Sequence, residues 1–527
     1  MADAQVTPAP GGPAGGKRPT PDPSVGMRRE VLVVLPGLLL AIMLAMLDQL
    51  IVGTALPRIV GDLGGVAHLS WVVTAYVLAS TITTPLYGKL GDMYGRKRLF
   101  ITAIVIFLAG SALAGLSQTM AELIMFRAIQ GLGAGGLMVS AIAIIGDLVS
   151  PRERGQYMGY IMAVMMTATI GGPLLGGWIT DSFSWRWIFY INLPIGGAAL
   201  AYLAATLKLS RRRVEHRVDY LGAVVLAIAA TAIVLGATWG GTQYAWASPQ
   251  IIGLIAVSVV AVAAFLVIES RAAEPILPLH IFRNRNFSLV TALSFLAGLS
   301  MFGAITFLPL YQQTVQGASP TISGLLLTPM MVGVMITSLI AGQITTRTGR
   351  YRALPILGSG GMALGMFLLS LLGVNTSRVT AGLYMVVLGL GMGFLMQMTT
   401  LLAQNSVQPT DIGVASSSRL FFQQIGGSIG VAAFGAVFAR RLQDALSSVS
   451  PGVHISASGG QFNPATVMGL PAAIQHDVFF AISHAVQGVF LWAIPATALA
   501  FLLSWFIKEV PLRGRAEAPE PEPELVG

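Results

Sequence analysis

Cysteine is absent from this 527-residue chain. That excludes a disulfide framework, an iron–sulfur cluster and a thiolate zinc site. Histidine is scarce. The six residues, His68, His216, His280, His454, His476 and His484, fall outside the apolar runs or at their edges, so no metal centre is expected. Charge is the third deficit: 10% of residues are Asp, Glu, Lys or Arg, against about 25% in soluble domains. With 54% apolar residues and a mean hydropathy of +0.75, the chain is neither a string of soluble domains nor intrinsically disordered. It has no Gly-x-x-x-x-Gly-Lys-Ser/Thr loop and no nucleophile–base constellation, so neither an ATPase nor a hydrolase is expected. It reads as no enzyme.

What the chain does have is hydrophobic length. A membrane span needs about 20 mostly apolar residues. Fourteen candidates stand at 31–54, 69–87, 99–117, 122–147, 155–180, 187–207, 218–239, 250–269, 287–313, 322–345, 352–373, 379–404, 412–439 and 484–508. An even number places both termini on one side. With the termini cytoplasmic, 24 Lys and Arg fall inside and 5 outside, while Arg127 and Arg419 fall within spans. This split follows the positive-inside rule. It also accounts for the net charge of +9 without nucleic acid. A bacterial cytoplasmic membrane, crossed many times, is the expected location.

The expected organisation is a disordered cytoplasmic tail over 1–30, a six-helix bundle over 31–207, two extra spans with their linkers over 208–286, a second six-helix bundle over 287–508 and a disordered tail over 509–527. Residues 1–26 are rich in Pro and Gly and contain no apolar region of signal length, so a cleaved leader is not expected. Residues 440–483 form the one long outer loop, whose stretch 466–483 either lies on the outer surface or extends the last helix.

The two halves repeat. Gly88–Arg98 (GKLGDMYGRKR) aligns without a gap with Gly342–Arg352 (GQITTRTGRYR), and Gly131–Met138 with Gly389–Met396. Parallel duplication marks secondary transporters, with the substrate site between the halves. The copies differ in chemistry: Asp92 matches Thr346, Arg127 matches Met385 and Gln130 matches Leu388. Ion coupling is therefore expected in the first half.

Further motifs are Leu47-Asp48 with Thr54–Pro57, the run RAIQGLGAG from Arg127, GGPLLGGW over Gly171–Trp178 and WRWIFYINLP over Trp185–Pro194. On these residues the chain resembles the major facilitator superfamily, in its fourteen-span drug:proton antiporter branch (EmrB/QacA type), over residues 30–510. Gln49–Gly53 departs from the branch pattern. The resemblance implies an all-α integral membrane fold of two six-helix bundles plus two extra central helices. It also implies export in exchange for protons.

Asp48 is the one acid deep in a span. An acid there costs about 2.5–3.5 kcal/mol on insertion scales, so it should have a use. Burial favours a neutral acid and a nearby cation favours its charged form; balanced, the two make a proton switch. An acid kept only for packing is the competing reading. Arg127, at similar depth, is the expected counter-charge, directly or through Gln130. In resembling proteins this arginine helps govern protonation; a purely structural ion pair is the alternative. Gly131, Gly133 and Gly136 match a dinucleotide fingerprint by spacing only. No strand precedes them, and they read as close helix packing.

Gly171, Gly172, Pro173, Gly176 and Gly177 combine a close-packing face with a proline inside a helix, which makes either a hinge or a static kink. The family links this motif to antiport. Asp92 and Arg96 either carry topology charge or gate the inner side, with Asp92 on the N-terminal end of the thirteenth span near Ala415–Arg419. Arg419, followed by Gln423, Gln424 and the glycines of that span, either gates or snorkels to the inner interface. Pocket candidates are Tyr76, Met162, Met165, Met166, Gln312, Gln313, Gln397 and Asn405.

The sequence thus points to proton-coupled multidrug efflux by alternating access, exporting lipophilic, cationic or amphiphilic compounds. Export of an endogenous metabolite, antibiotic or lipid is the alternative. A receptor or scaffold lacks a reason for the embedded acid, and a channel would need a ring of pore charges or carbonyls. No cofactor is expected beyond the proton as coupling ion. The partners are a small-molecule substrate and the bilayer; the oligomeric state is not legible.

Overall fold

The structure, a computed structural model, describes residues 23–63, 69–149, 154–207, 219–241, 243–272, 274–449 and 472–511. Among them there is no strand, only one isolated bridge between Gly240 and Tyr244. The helices of the first half are α1 (Pro23–Leu63), α2 (Leu69–Tyr94), α3 (Arg96–Leu116), α4 (Met120–Leu148), α5 (Arg154–Ser182), the short α6 (Trp187–Tyr190) and α7 (Asn192–Thr206). Two further helices follow, α8 (Tyr220–Trp239) and α9 (Pro249–Arg271). The second half holds α10 (Arg285–Thr314), the short α11 (Pro320–Leu326), α12 (Thr328–Thr348), α13 (Ala353–Leu369), α14 (Arg378–Asn405), α15 (Ile412–Val449) and α16 (Ala472–Ser504).

Twelve of the described segments are long and apolar enough to cross a membrane. The other two of the fourteen rods are α2, which carries Pro85, and α13, which at 17 residues is short of the usual span. The sixth rod breaks at Ile191 and the tenth at Leu327, next to Pro329.

Three expected boundaries move. Helix α1 starts at Pro23, inside the segment read as a tail, because proline suits the first helical position. Residues 1–22 and 512–527 lie outside the described residues. The first part of the second tail is held: the Tyr351 backbone N–H donates to Glu509 at 3.1 Å, and the Tyr351 hydroxyl meets Val510. The loop 440–483 is helical at both edges, since α15 runs to Val449 and α16 begins at Ala472; 450–471 is outside the described residues.

Local signals set the helix ends. Thr119 and Glu122 close a capping box on α4. Ser248 caps α9 ahead of Pro249, and Asn284 caps α10. The repeated loop motif has a backbone cause. Gly95 and Gly349, equivalent in the two copies, have φ of 95° and 70° between paired helices. Side-chain-bearing residues disfavour that conformation.

In the first half α2 and α3 pack on α4, and α1 packs on α5 and α7. In the second half α12 and α13 pack on α14, and α10 packs on α15 and α16. The halves meet along two seams, α2 against α15 and α5 against α12. Within the first half, small residues of α4 permit the close packing of α2 and α3 on it. A Cβ on Gly131 would lie 2.4 Å from the Tyr76 carbonyl oxygen, and one on Gly133 2.4 Å from the Phe107 nitrogen. Helices α8 and α9 pack on each other, and α8 covers the α2–α15 seam. There Leu226, Ala230 and Val234 join Phe265, Phe421 and Ile425 in one apolar cluster. Helix α9 turns exposed valines such as Val259 and Val260 outward, as a lipid-facing surface requires.

Candidate functional site: a buried carboxylate and two seams

Asp48 sits in α1, fully buried. Arg127 of α4 reaches it from across the half: Arg127 Nη1 donates to Asp48 Oδ2 at 2.6 Å and to Gln130 Oε1 at 2.7 Å. Gln130 Nε2 donates to Asp48 Oδ1 at 2.8 Å, so direct and bridged pairing coexist. Arg127 and Gln130 are three apart on one helix face, which lets both serve the same acceptor. Sequence reasoning missed two members. Asn192 Nδ2 donates to Asp48 Oδ1 at 2.8 Å and to Ser111 Oγ at 2.9 Å. Ser111 Oγ in turn donates to the Phe189 carbonyl at 2.9 Å.

The signal for Asn192 was its place at the polar start of α7, inside a motif already noted for another reason. The break before α7 is anchored nearby. Trp185 Nε1 donates to Asp62 Oδ2 at 2.8 Å, and Arg186 donates to the Ser117 carbonyl.

Tyr76, expected in a substrate pocket, belongs to this cluster. Its ring lies 4.1 Å below the Arg127 guanidinium, a cation–π contact. Arg127 Nε also donates to the Val72 carbonyl. The duplicated half has a neutral counterpart: Gln312 Nε2 of α10 donates to the Met385 sulfur of α14 at 3.7 Å. Met385 is the repeat equivalent of Arg127.

The glycines of α5 touch the Asp48 segment directly. A Cβ on Gly171 would lie 3.9 Å from Leu47, and one on Gly172 2.7 Å from Leu50. Those leucines flank Asp48. Helix α5 remains helical through Pro173, Gly176 and Gly177. On the same helix a Cβ on Gly159 would lie 2.0 Å from Leu339 of α12. One rod therefore contacts both the carboxylate-bearing helix and the opposite seam. Met165 is half-buried against the first-half core, and the side chains of Met162 and Met166 lie outside the described residues.

The α2–α15 seam closes at the Asp92 end. Val414 N–H donates to Asp92 Oδ2 at 3.0 Å, one residue ahead of the stretch expected. The first turn of α15 supplies that donor, and its dipole favours an anion. A Cβ on Gly413 would lie 2.4 Å from Asp92 Oδ1. Arg96 Nη2 donates to Asp92 Oδ1 at 2.8 Å; Arg96 Nη1 pairs with Asp147 and also meets the Ala143 carbonyl. Asp92 lies beyond the apolar run of α2. Burial pushes its carboxyl up to about 6, against the opposing pull of Arg96 and the Val414 N–H. Lys89 reaches Glu274, beyond α9, at 2.7 Å.

Arg419 is buried in α15 and does not snorkel. Its Nη1 donates to Gln423 Oε1 at 3.0 Å, one turn deeper. Its Nε and both amide atoms of Gln397 are buried without a hydrogen-bond partner. Asn405 is buried at the end of α14. Gln313 Nε2 donates to Ser323, a contact beside α11 rather than an open pocket. A cavity of about 730 Å³ lies between α15 and α16 and is lined by Arg440, Arg441, Phe480, His484 and Trp492. It shares no residue with the Asp48 cluster or the expected pocket. Among the described residues no group of His, Asp and Glu could hold a metal ion.

A duplicated helical fold with a hydrogen-bonded carboxylate in one half and two seams between the halves defines a membrane transporter, not an enzyme. A family model described as "Major Facilitator Superfamily" matches residues 38–431, and the chain belongs to that superfamily. It is 41% identical over 484 residues to an uncharacterized MFS-type transporter of Mycobacterium tuberculosis, covering 91% of this chain and 70% of that one. It is 36% identical to the multidrug transporter protein MdtP of Bacillus subtilis, covering 95% and 97%. Among solved structures, the proton:xylose symporter XylE superposes with a TM-score of 0.59 at 16% identity, over 92% of this chain and 98% of that one; this likeness concerns the fold alone. The protein is thus a multi-pass membrane transporter with multidrug efflux relatives.

Proposed function

We propose that the protein exports lipophilic and amphiphilic compounds in exchange for protons, by alternating access, from the cytoplasm of a bacterium. Both termini and the Asp92 end would face the cytoplasm. The distribution of Lys and Arg supports that orientation, and the bacterial relatives support the membrane.

The observation that carries the reading is the Asp48 cluster. A proton arriving on an Asp48 oxygen removes the charge that holds Arg127 Nη1. Arg127 stays held by Gln130, the Val72 carbonyl and the Tyr76 ring. Helix α1 is then released from α4, and α5, seated on Leu47 and Leu50 through Gly171 and Gly172, moves with it. Because α5 also lines the seam with α12, protonation in one half biases the interface between halves. Proton loss to the cytoplasm reverses the step.

The test is proton flux in proteoliposomes holding the purified protein and an interior pH dye. Lipophilic compounds are added to wild type and to Asp48→Asn. Substrate-dependent proton movement that disappears in the variant, with folding retained, supports antiport. Full gradient-driven transport by Asp48→Asn would sink it.

A further inference from the structure

Asp48 and Arg419, both buried deep in spans, stand in unlike surroundings. Asp48 is saturated: Arg127, Gln130 and Asn192 occupy its two oxygens. Among the described residues no other carboxylate deep in a span is left to receive a cationic substrate. Arg419 is the reverse. It is 3% exposed, its one hydrogen bond goes to the neutral Gln423, and its Nε has no partner. Among the described residues no carboxylate lies within ion-pair distance of it. A buried guanidinium without a counter-charge costs several kcal/mol, and buried polar atoms in native folds are rarely left unsatisfied.

Neighbouring groups point the same way. Ser416, Arg419 and Gln423 are spaced three and four apart, so they share one face of α15. Ser416 fixes where that face looks, since Gln404 Nε2 of α14 donates to Ser416 Oγ at 2.9 Å. Seven residues is about two helical turns. Two turns deeper on the antiparallel pair, Gln397 takes the place of Gln404 and Gln423 that of Ser416. By this register Gln397 stands near the depth of Gln423; it is buried, with both amide atoms unpartnered. Gly146 of α4, whose Cβ would lie 3.3 Å from Gln404 Nε2, puts the first half alongside the Gln404 end of this face. At that depth α15 offers a guanidinium fork and α14 an amide, and α15 itself lies on the seam with α2 of the first half.

We infer that Arg419 and Gln397 form an anion-receiving subsite of the transport pathway, and that the preferred cargo is an amphiphile carrying a carboxylate, sulfonate or phosphate. The acid engages the guanidinium fork, as planar anions do, while the amide donates to the same group. This rests on the export reading and gives its cargo a charge. An anionic lipid headgroup presents the same chemistry as a soluble acid.

The test is binding to full-length protein purified in detergent. It uses three pyrene probes that share an aromatic body: 1-pyrenebutyrate, 1-pyrenebutanol and 1-pyrenemethylammonium. Wild type should bind the butyrate at least about tenfold more tightly than the alcohol, as one charge-assisted hydrogen-bonded contact allows. Arg419→Gln should abolish that preference while leaving alcohol binding and the size-exclusion profile intact. If Arg419→Gln does not yield a monodisperse protein, Arg419→Lys and Gln397→Leu carry the test; each should weaken butyrate binding several-fold and spare the alcohol. A tighter ammonium probe, equal affinities, no binding of any probe, or a preference that survives these substitutions would overturn the subsite. Displacement of the butyrate by phosphatidylglycerol would support it with a lipid as source, and retention in the presence of that lipid would support it with a soluble acid. The outcome is independent of proton coupling. Butyrate selectivity without substrate-driven proton flux would overturn the antiport reading alone.

Discussion

Val414 of α15 donates its backbone N–H to Asp92 of α2 at 3.0 Å, so one carboxylate in the first half holds the start of a helix in the second. The bond lies on the seam that must part if the Asp92 end is to open. Gly413 next to it leaves room for the carboxylate to sit against the backbone.

That placement gives the seam a pH dependence. Burial holds the Asp92 carboxyl up at about 6 from an ordinary 3.8. When the seam opens and water reaches Asp92, its affinity for the proton falls back toward the ordinary value. The closed seam thus binds more proton between about 4 and 6, and lowering the pH through that window favours closure. Raising the pH above about 6 removes the advantage. Because the chain lacks cysteine, Tyr94→Cys and Thr410→Cys provide a clean spin-label pair. The short-distance population should grow as pH falls from 7 to 4, and Asp92→Asn should flatten the change. A distance distribution indifferent to pH would refute the coupling.

Removing one member of the Asp48–Arg127 pair should hurt more than removing both. Arg127→Leu strands a buried carboxylate, at a cost of about 3–5 kcal/mol. Asp48→Leu/Arg127→Leu removes both charges and should recover part of the loss. Unfolding midpoints in detergent should therefore rank wild type above the double variant, and the double variant above Arg127→Leu. A double variant less stable than the single one would contradict this account of the pair.

Asn192 should behave as a positioning residue for Asp48. Asn192→Leu takes a donor from Asp48 Oδ1 and leaves Ser111 with one partner fewer, which costs about 1–3 kcal/mol. The proposed proton-coupled transport should slow, and Asn192→Ser, which keeps a donor, should restore part of the rate. Equal rates for all three proteins would exclude the role.

Two glycines should respond oppositely to a methyl group. In Gly133→Ala the new Cβ would lie 2.4 Å from backbone of α3, forcing α4 and its Arg127 outward. A loss of about 1–3 kcal/mol is expected from such overpacking. Nothing lies within 4 Å of a Cβ on Gly177. Gly177→Ala should be neutral or stabilise by about 0.5–1 kcal/mol, through helix propensity alone. Thermal unfolding of the two variants side by side decides it.

The membrane class, the rods and the internal repeat were legible in the sequence, because hydrophobic length and local backbone demands are local properties. A span announces itself by about 20 apolar residues whatever surrounds it. Gly95 and Gly349 stand at equivalent positions because each must adopt a positive φ, which is a property of one residue. Asp48 and Arg127 stood out because charge in lipid is expensive wherever it occurs. Partnership is another matter. Asn192, an ordinary polar residue at a helix start, became a ligand of Asp48 only when the break at Ile191 turned α7 toward α1. Tyr76 moved from an expected pocket to the Arg127 cluster because the depth and rotation of α2 against α4 decide its neighbours. Arg419, equally suited in sequence to snorkelling or gating, was turned inward by the packing of α15 against α2, α10 and α14. The chain's own pattern determined which residues had to leave water; the packing of distant helices, which no local window contains, decided which of them met.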